Sequence, residues 1–342
     1  MSSRGMWGVA MLAAATLLLE STLTRLLAVA QFYHFAFLAV SLALLGFGAS
    51  GTLLGVAPRL RRAAAERVLL ACSAGFAACT GIAYAVVNLL PFDSYSIAWD
   101  RRQIGLFVLY YLALTLPFLC GGLGIAAGLA AGDESRRPRV YAANLLGSAA
   151  GALLALAAGE LAGVPGAVLI AALVGFLPVL WLAPARPTGL RSAAALAALA
   201  AAVGFALLAS ANLHASGRIG LGMTISPYKG LAHAWRVPGA TTLFGRWDAV
   251  SRVDVVAGAG TRALPGLSYA CAGLPPVQLG LAHDADALLP ITLARPEDFA
   301  AAACLPEALA FELRPHAHVL VLEPGGGLGI LQALAAGASR VT

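Results

Sequence analysis

Between Glu323 and Gly329 the chain reads Glu-Pro-Gly-Gly-Gly-Leu-Gly, with glycine at positions 325, 327 and 329. Alternate glycines leave the main chain bare, so a ligand can come close to its amides, and glycine accepts the positive φ of a tight turn. The preceding run, His318–Glu323, has the apolar character of a buried strand, and the following Ile330–Gly337 has helical spacing. A strand, a glycine turn and a helix present the free amides of a helix N-terminus to a ligand. The dinucleotide fingerprint would require glycine at 330, where Ile330 stands, and a phosphate-binding loop would require Gly-Lys-Ser/Thr.

Two other groups have chemical potential. His283, Asp284 and Asp286 combine an imidazole with two carboxylates that could hold a metal or a cationic substrate. The simpler reading is a solvated loop between Gly280 and Pro290. Glu20 and Arg25 lie inside an apolar run, where charge is costly and often functional. Five residues apart they point about 140° away from each other around a helix. Glu20 is therefore expected to clamp a neighbouring helix or, less simply, to relay protons, and Arg25 to snorkel toward the interface. Tyr228, Lys229 and Trp235 could line a pocket or anchor at a membrane surface. The five cysteines include no Cys-x-x-Cys and no Cys/His ligand pair, so they read as free thiols, and no metal is expected.

The elements that carry these residues divide into two classes. The 342 residues are 60% hydrophobic and 11% charged, with a mean hydropathy of +0.84. A soluble domain carries about a quarter charged residues, so an ordinary soluble globule and a disordered chain are both excluded. Residues 1–211 hold 13 basic and 7 acidic side chains, whereas residues 212–342 hold 9 of each, so the net charge of +6 belongs to the apolar half. Arginines that punctuate apolar runs are topology signals and not a nucleic-acid footprint. Runs near 7–30, 35–57, 68–90, 104–131, 141–161, 164–184 and 192–211 are each about the length that crosses a bilayer, giving seven predicted spans. Arg4, Arg59, Arg61, Arg62, Arg67, Arg136, Arg137, Arg139, Arg186 and Arg191 then share one side, against Arg101 and Arg102 on the other. The positive-inside rule puts the N-terminus of this multi-pass membrane protein in the cytoplasm. Seven crossings would place residues 212–342 outside, and an uncrossed seventh run would place them inside; the sequence leaves both open. Gly46, Gly48, Gly51 and Gly55, and the small-residue series Ala143, Gly147 and Gly151, are expected at helix contacts.

After Ala211 the chain turns polar. Gly245–Val256 ends in a strand pattern, and Leu305–Leu313 reads as a short helix stopped before Pro315. The expected organisation is a transmembrane helical domain over 1–211, a β-rich segment over 212–300 and the first β-α unit of a Rossmann-like α/β domain over 301–342. The second strand of such a domain would begin near Thr342, so the chain reads as part of a longer protein.

Glu323-x-Gly325-x-Gly327-x-Gly329 resembles the first motif of S-adenosylmethionine-dependent transferases. The order of parts resembles the membrane-fused, spermidine synthase-like proteins of bacteria. Glu20-Ser-Thr-Leu-Thr-Arg25-Leu-Leu is similar to that family's first-span E…TRLL element. Tyr141-Ala-Ala-Asn144-Leu-Leu-Gly147 is similar to its Y-A-x-D-x-x-G element, and Ser226-Pro-Tyr228-Lys229 to the S-P-Y-Q that opens its hairpin domain. The resemblance implies a donor, S-adenosylmethionine or its decarboxylated form, held by Glu323, Gly325, Gly327 and Gly329. It implies an amine acceptor approached by Tyr228, Asp284 and Asp286, and transfer by attack of the amine on a carbon bonded to sulfonium. The chain departs from the family at Leu328, where an aspartate is usual, at Lys229 in place of glutamine, and at Phe311 in place of histidine. A lysine near the acceptor site argues against a dicationic substrate. The alternative reading is a membrane transport or structural protein with a degenerate, non-catalytic synthase-like part.

Overall fold

A computed structural model describes residues 2–131, 134–182, 223–258, 260–271 and 275–342. They form two compact units, one of residues 1–224 with 247–250, the other of residues 225–246 with 251–342.

The first unit is helical: α1 (Ser3–Ala30), α2 (Phe35–Val56), the short α3 (Pro58–Arg62), α4 (Ala65–Leu89), α5 (Arg102–Ala130) and α6 (Arg137–Leu182). Five of these, all but α3, are long and apolar enough to cross a membrane. Ser2 starts α1 by accepting the Gly5 amide on its hydroxyl at 3.1 Å, satisfying one of the unpaired amides of the first turn. Buried hydroxyls are satisfied locally: Thr22 donates to the Leu18 carbonyl at 2.6 Å and Thr80 to that of Phe76 at 2.8 Å. The core joins Leu12, Leu18, Leu23, Phe76, Tyr110 and Phe118. Phe37, Leu44, Leu112, Leu146, Leu153 and Leu161 face outward, a surface that suits hydrocarbon and not water.

At 46 residues, α6 would be about 69 Å long if straight, more than twice a hydrocarbon core. It breaks at Gly163, which adopts φ 67°, and Pro165 opens the second arm where a missing amide costs nothing. The contacts fix the direction of each arm. Gly147 faces Ala10 and Gly151 faces Ala14, so the first arm runs parallel to α1. Gly175 meets Ala15, while Pro178 and Leu182 meet Gly8, so the second arm runs back against α1. The fifth and sixth apolar runs are thus one helical hairpin. The seventh, 192–211, lies outside the described residues.

The glycine expectations divide. A Cβ at Gly147 or Gly151 would collide with the main-chain carbonyl of Ala10 or Ala14, as small-residue packing predicts. In α2 only Gly46 is a contact glycine, against the backbone of Phe118 and Leu119. Gly48, Gly51 and Gly55 have nothing within 4 Å of a Cβ position, contrary to expectation. Gly46 turns toward α5, and the rotation of about 100° per residue carries the other three off that face.

The second unit holds α7 (Gly230–Trp235), β1 (Thr241–Trp247), β2 (Arg252–Ala257), β3 (Gln278–His283), β4 (Leu288–Thr292), α8 (Ala308–Leu313), β5 (His318–Val319), α9 (Leu328–Ala335) and β6 (Arg340–Val341). Trp247 ends β1 but groups with the helical unit. The sheet order is β1-β2-β3-β4, with β2–β3 and β3–β4 antiparallel, Val253 opposite His283 and Gln278 opposite Thr292. β5 and β6 form a separate parallel pair, and the glycine turn and α9 connect them. A small core of Leu264, Phe299, Ala302 and Leu305 receives Leu328, Leu331 and Ala335 from α9. Residues 301–342 therefore pack as part of one unit with the β-sheet.

In the run His318–Glu323, expected as a buried strand, only two residues are extended, their partner among the described residues is β6, and Leu320 and Leu322 are exposed. Cys271 and Cys304 are not free thiols but a disulfide, formed because the fold brings Cα atoms 33 residues apart in sequence to 5.8 Å. Cys72, Cys79 and Cys120 remain free.

Replacing Gly147 or Gly151 with leucine forces α1 and α6 apart and should cost about 3 kcal/mol or more, at the upper end of overpacking penalties. Gly51→Ala should leave stability unchanged or slightly raised, since its site is open. Thermal unfolding of the detergent-solubilised protein measures both.

Candidate functional site

β4 organises the polar chemistry of the second unit. On one side the glycine turn rests against it: a Cβ at Gly326 would strike the Pro290 carbonyl, and one at Gly325 would lie 3.3 Å from the Leu289 side chain. The backbone must be bare at 326 to approach this closely. Gly325 and Gly327 have φ 52° and 82°, and Glu323 also takes a positive φ, 52°, unusual for a residue with a side chain. Gly327 caps α9 in the left-handed conformation, and nothing lies within 4 Å of its Cβ position. The turn therefore has a closed face on β4 and an open one at Gly327. Leu328 packs against the small core. Gly329 borders Val321.

The turn from β3 into β4 carries the other sequence-predicted group. Asp284 and Ala285 have φ 49° and 59°, so the chain reverses through left-handed conformations. Asp284 fixes this turn by accepting the Arg252 amide on Oδ1 at 2.8 Å, and its own amide donates to the Arg252 carbonyl at 2.8 Å. Lys229 is 2% exposed; its Nζ donates to the Asp284 carbonyl at 3.2 Å and lies 3.6 Å from Asp286 Oδ2. The Leu231 amide donates to the Ala285 carbonyl, and Gly230 passes so close to Asp286 that a Cβ would not fit. Ser226–Gly230 is thus seated on the β3–β4 turn. Tyr228 is partly exposed beside it. His283 lies on the solvent side, 3.7 Å from Asp284. Among the described residues no three His, Cys, Asp or Glu side chains converge to hold a metal ion.

One group leads into β4 and the other rests against it. Asp286 and Leu289 are three residues apart, so the charged turn and the foot of the glycine turn are within about 11 Å along the chain. Arg252 and Asp254 are not singled out by the sequence. Asp254 is fully buried and accepts two bonds from the Arg252 guanidinium, at 2.7 and 2.8 Å. Their period-two spacing on a strand was the available signal. A shallow depression of about 560 Å³ lies over the disulfide, lined by Ser268, Cys271, Cys304, Leu309 and Glu312, and includes no residue of the glycine turn.

Glu20 and Arg25 belong to the helical unit. Glu20 is half-buried in α1. Arg25 donates through one nitrogen to the carbonyls of Asp248 and Ala249, at 3.0 and 2.7 Å, under the Trp247 ring at 5.8 Å. Trp247 also closes over Gly163, where a Cβ would come within 2.8 Å of its ring. Arg25 is thus a fastening for residues 247–250.

Compared with protein families, curated proteins and solved structures, the chain has no match.

Lys229→Met removes a bond to a buried carbonyl and should destabilise the protein by about 1–2 kcal/mol. Asp286→Asn should cost less than about 0.5 kcal/mol, since the Asp286 side chain is 62% exposed and its ion pair is screened. Thermal unfolding of the two variants side by side tests the order.

Proposed function

We propose that this chain is a membrane-anchored, spermidine synthase-like transferase that takes S-adenosylmethionine or its decarboxylated form as donor and an amine as acceptor. In this reading the helical unit crosses a bacterial inner membrane seven times, and β5, the glycine turn, α9 and β6 begin a Rossmann-like domain. The observation that carries it is the parallel β-turn-α-β segment with Gly327 in the left-handed conformation and open to a ligand.

The residues fit a donor at the open face. The Gly327 amide closes the turn by donating to the Pro324 carbonyl at 2.7 Å, which leaves the amides of Leu328 and Gly329 at the start of α9, where the helix end favours a polar or anionic group. Glu323, exposed on its strained turn, is placed to accept from hydroxyls of a ribose. The donor's chemistry is a sulfonium-bound carbon that an amine displaces to leave a neutral thioether. The protein's part is alignment of the two reactants. Tyr228, Asp284 and Asp286 supply the polar wall at the head of β4.

A second reading, in which the soluble unit is non-catalytic and the membrane part carries a transport or structural role, draws on a specific observation. Asp284 and Asp286 are engaged with the Arg252 amide and with Lys229, which weakens them as holders of a cationic amine.

Titration of the full chain in lipid nanodiscs with S-adenosylmethionine and with its decarboxylated form separates the readings. The first expects saturable binding of one of them, weakened about tenfold, or about 1.4 kcal/mol, by Glu323→Gln. Gly327→Val should abolish it, because valine does not tolerate φ 82°. Binding of neither donor sinks the transferase reading.

A further inference from the structure

We infer that residues 225–342 lie on the extracytoplasmic side of the membrane, where Cys271 and Cys304 are joined by oxidation. This orientation follows from the ends of the helical unit and is independent of the proposed activity. The helix directions follow from the contacts. Gly121 meets Thr16 and Phe76 while Gly124 meets Leu12 and Cys72, so α5 runs against both α1 and α4. Gly46 meets Phe118 and Gly122 meets Ser50, so α2 runs with α5. With α6 folded at Gly163, one end of the bundle gathers Arg4, Arg59, Arg61, Arg62, Arg67, Arg136, Arg137 and Arg139, and Leu182 also lies there. The opposite end holds the C-terminal ends of α1 and α4, Gly163, and the α4–α5 connection with Arg101 and Arg102. The positive-inside rule makes the arginine-rich end cytoplasmic.

The chain leaves the helical unit from residues held at that opposite end. Thr224 donates through its amide and hydroxyl to Asn88 of α4, both at 2.9 Å. Residues 247–250 are fastened to Arg25 near the end of α1. Beyond Thr224, the described helices are six, six and eight residues long. Eight residues span about 12 Å, too little to carry the chain back across a bilayer.

The disulfide agrees independently. Such bonds persist in oxidising compartments and are rare in a bacterial cytosol. Its formation is an exchange with an oxidising protein disulfide of that space. One cysteine thiolate attacks the partner's disulfide to form a mixed disulfide, and the second displaces the partner. The partner leaves as a dithiol with the two electrons and two protons.

Intact cells expressing the full chain test this without reference to donor binding. A membrane-impermeant maleimide should add no tag before external treatment with an impermeant reductant and two tags per chain after it. The double variant C271S/C304S should take none in either condition. Alkaline phosphatase fused after Thr342 should be active and a green fluorescent protein at the same point dark. A fluorescent fusion at Thr342 overturns the orientation. Tagging before reduction, or none after it, overturns the disulfide.

Discussion

A stretch of 46 mostly apolar residues cannot stay straight in a layer only about 30 Å thick, and the reversal at Gly163 resolves this. Its positive φ turns one long helix into two antiparallel arms that both lie on α1. The first arm approaches so closely that only glycine fits opposite Ala10 and Ala14. The reversal also exposes a glycine at the bundle end, and the Trp247 ring covers it. Arg25 is drawn into the same corner by the carbonyls of Asp248 and Ala249. An arginine near the end of an apolar helix is costly alone, and here main-chain oxygens and an aromatic face replace the lost water.

The second unit is organised by one short strand. β4 offers its edge to the bare backbone at Gly326, and the turn leading into it buries Lys229. Lys229 does little as an ion pair, because Asp286 is largely in solvent. Its value lies in the bond to the Asp284 carbonyl, which pins a turn already held by reciprocal bonds with Arg252. The residues that resemble an acceptor site are thus also the ones that hold the hairpin together. Whether they are free for a ligand is a competition between those two uses.

Much of this was legible in the chain. The apolar runs through 182, the glycine turn followed by a helix, and the small residues of α6 all follow from local spacing and composition. Gly48, Gly51 and Gly55 were less legible, since their spacing matches a contact face but they have no neighbour. His318–Glu323 has an apolar pattern, yet Leu320 and Leu322 are exposed among the described residues.

The sequence by itself determined where the chain is apolar, where it can turn and on which end its arginines gather, because these depend on residues a few positions apart. The tertiary structure alone decided which glycines touch, that Cys271 meets Cys304 and that Lys229 is buried. Periodicity tells a helix or strand which face it has to hide. The partner that hides it comes from dozens or hundreds of residues away, and only close packing in three dimensions selects it.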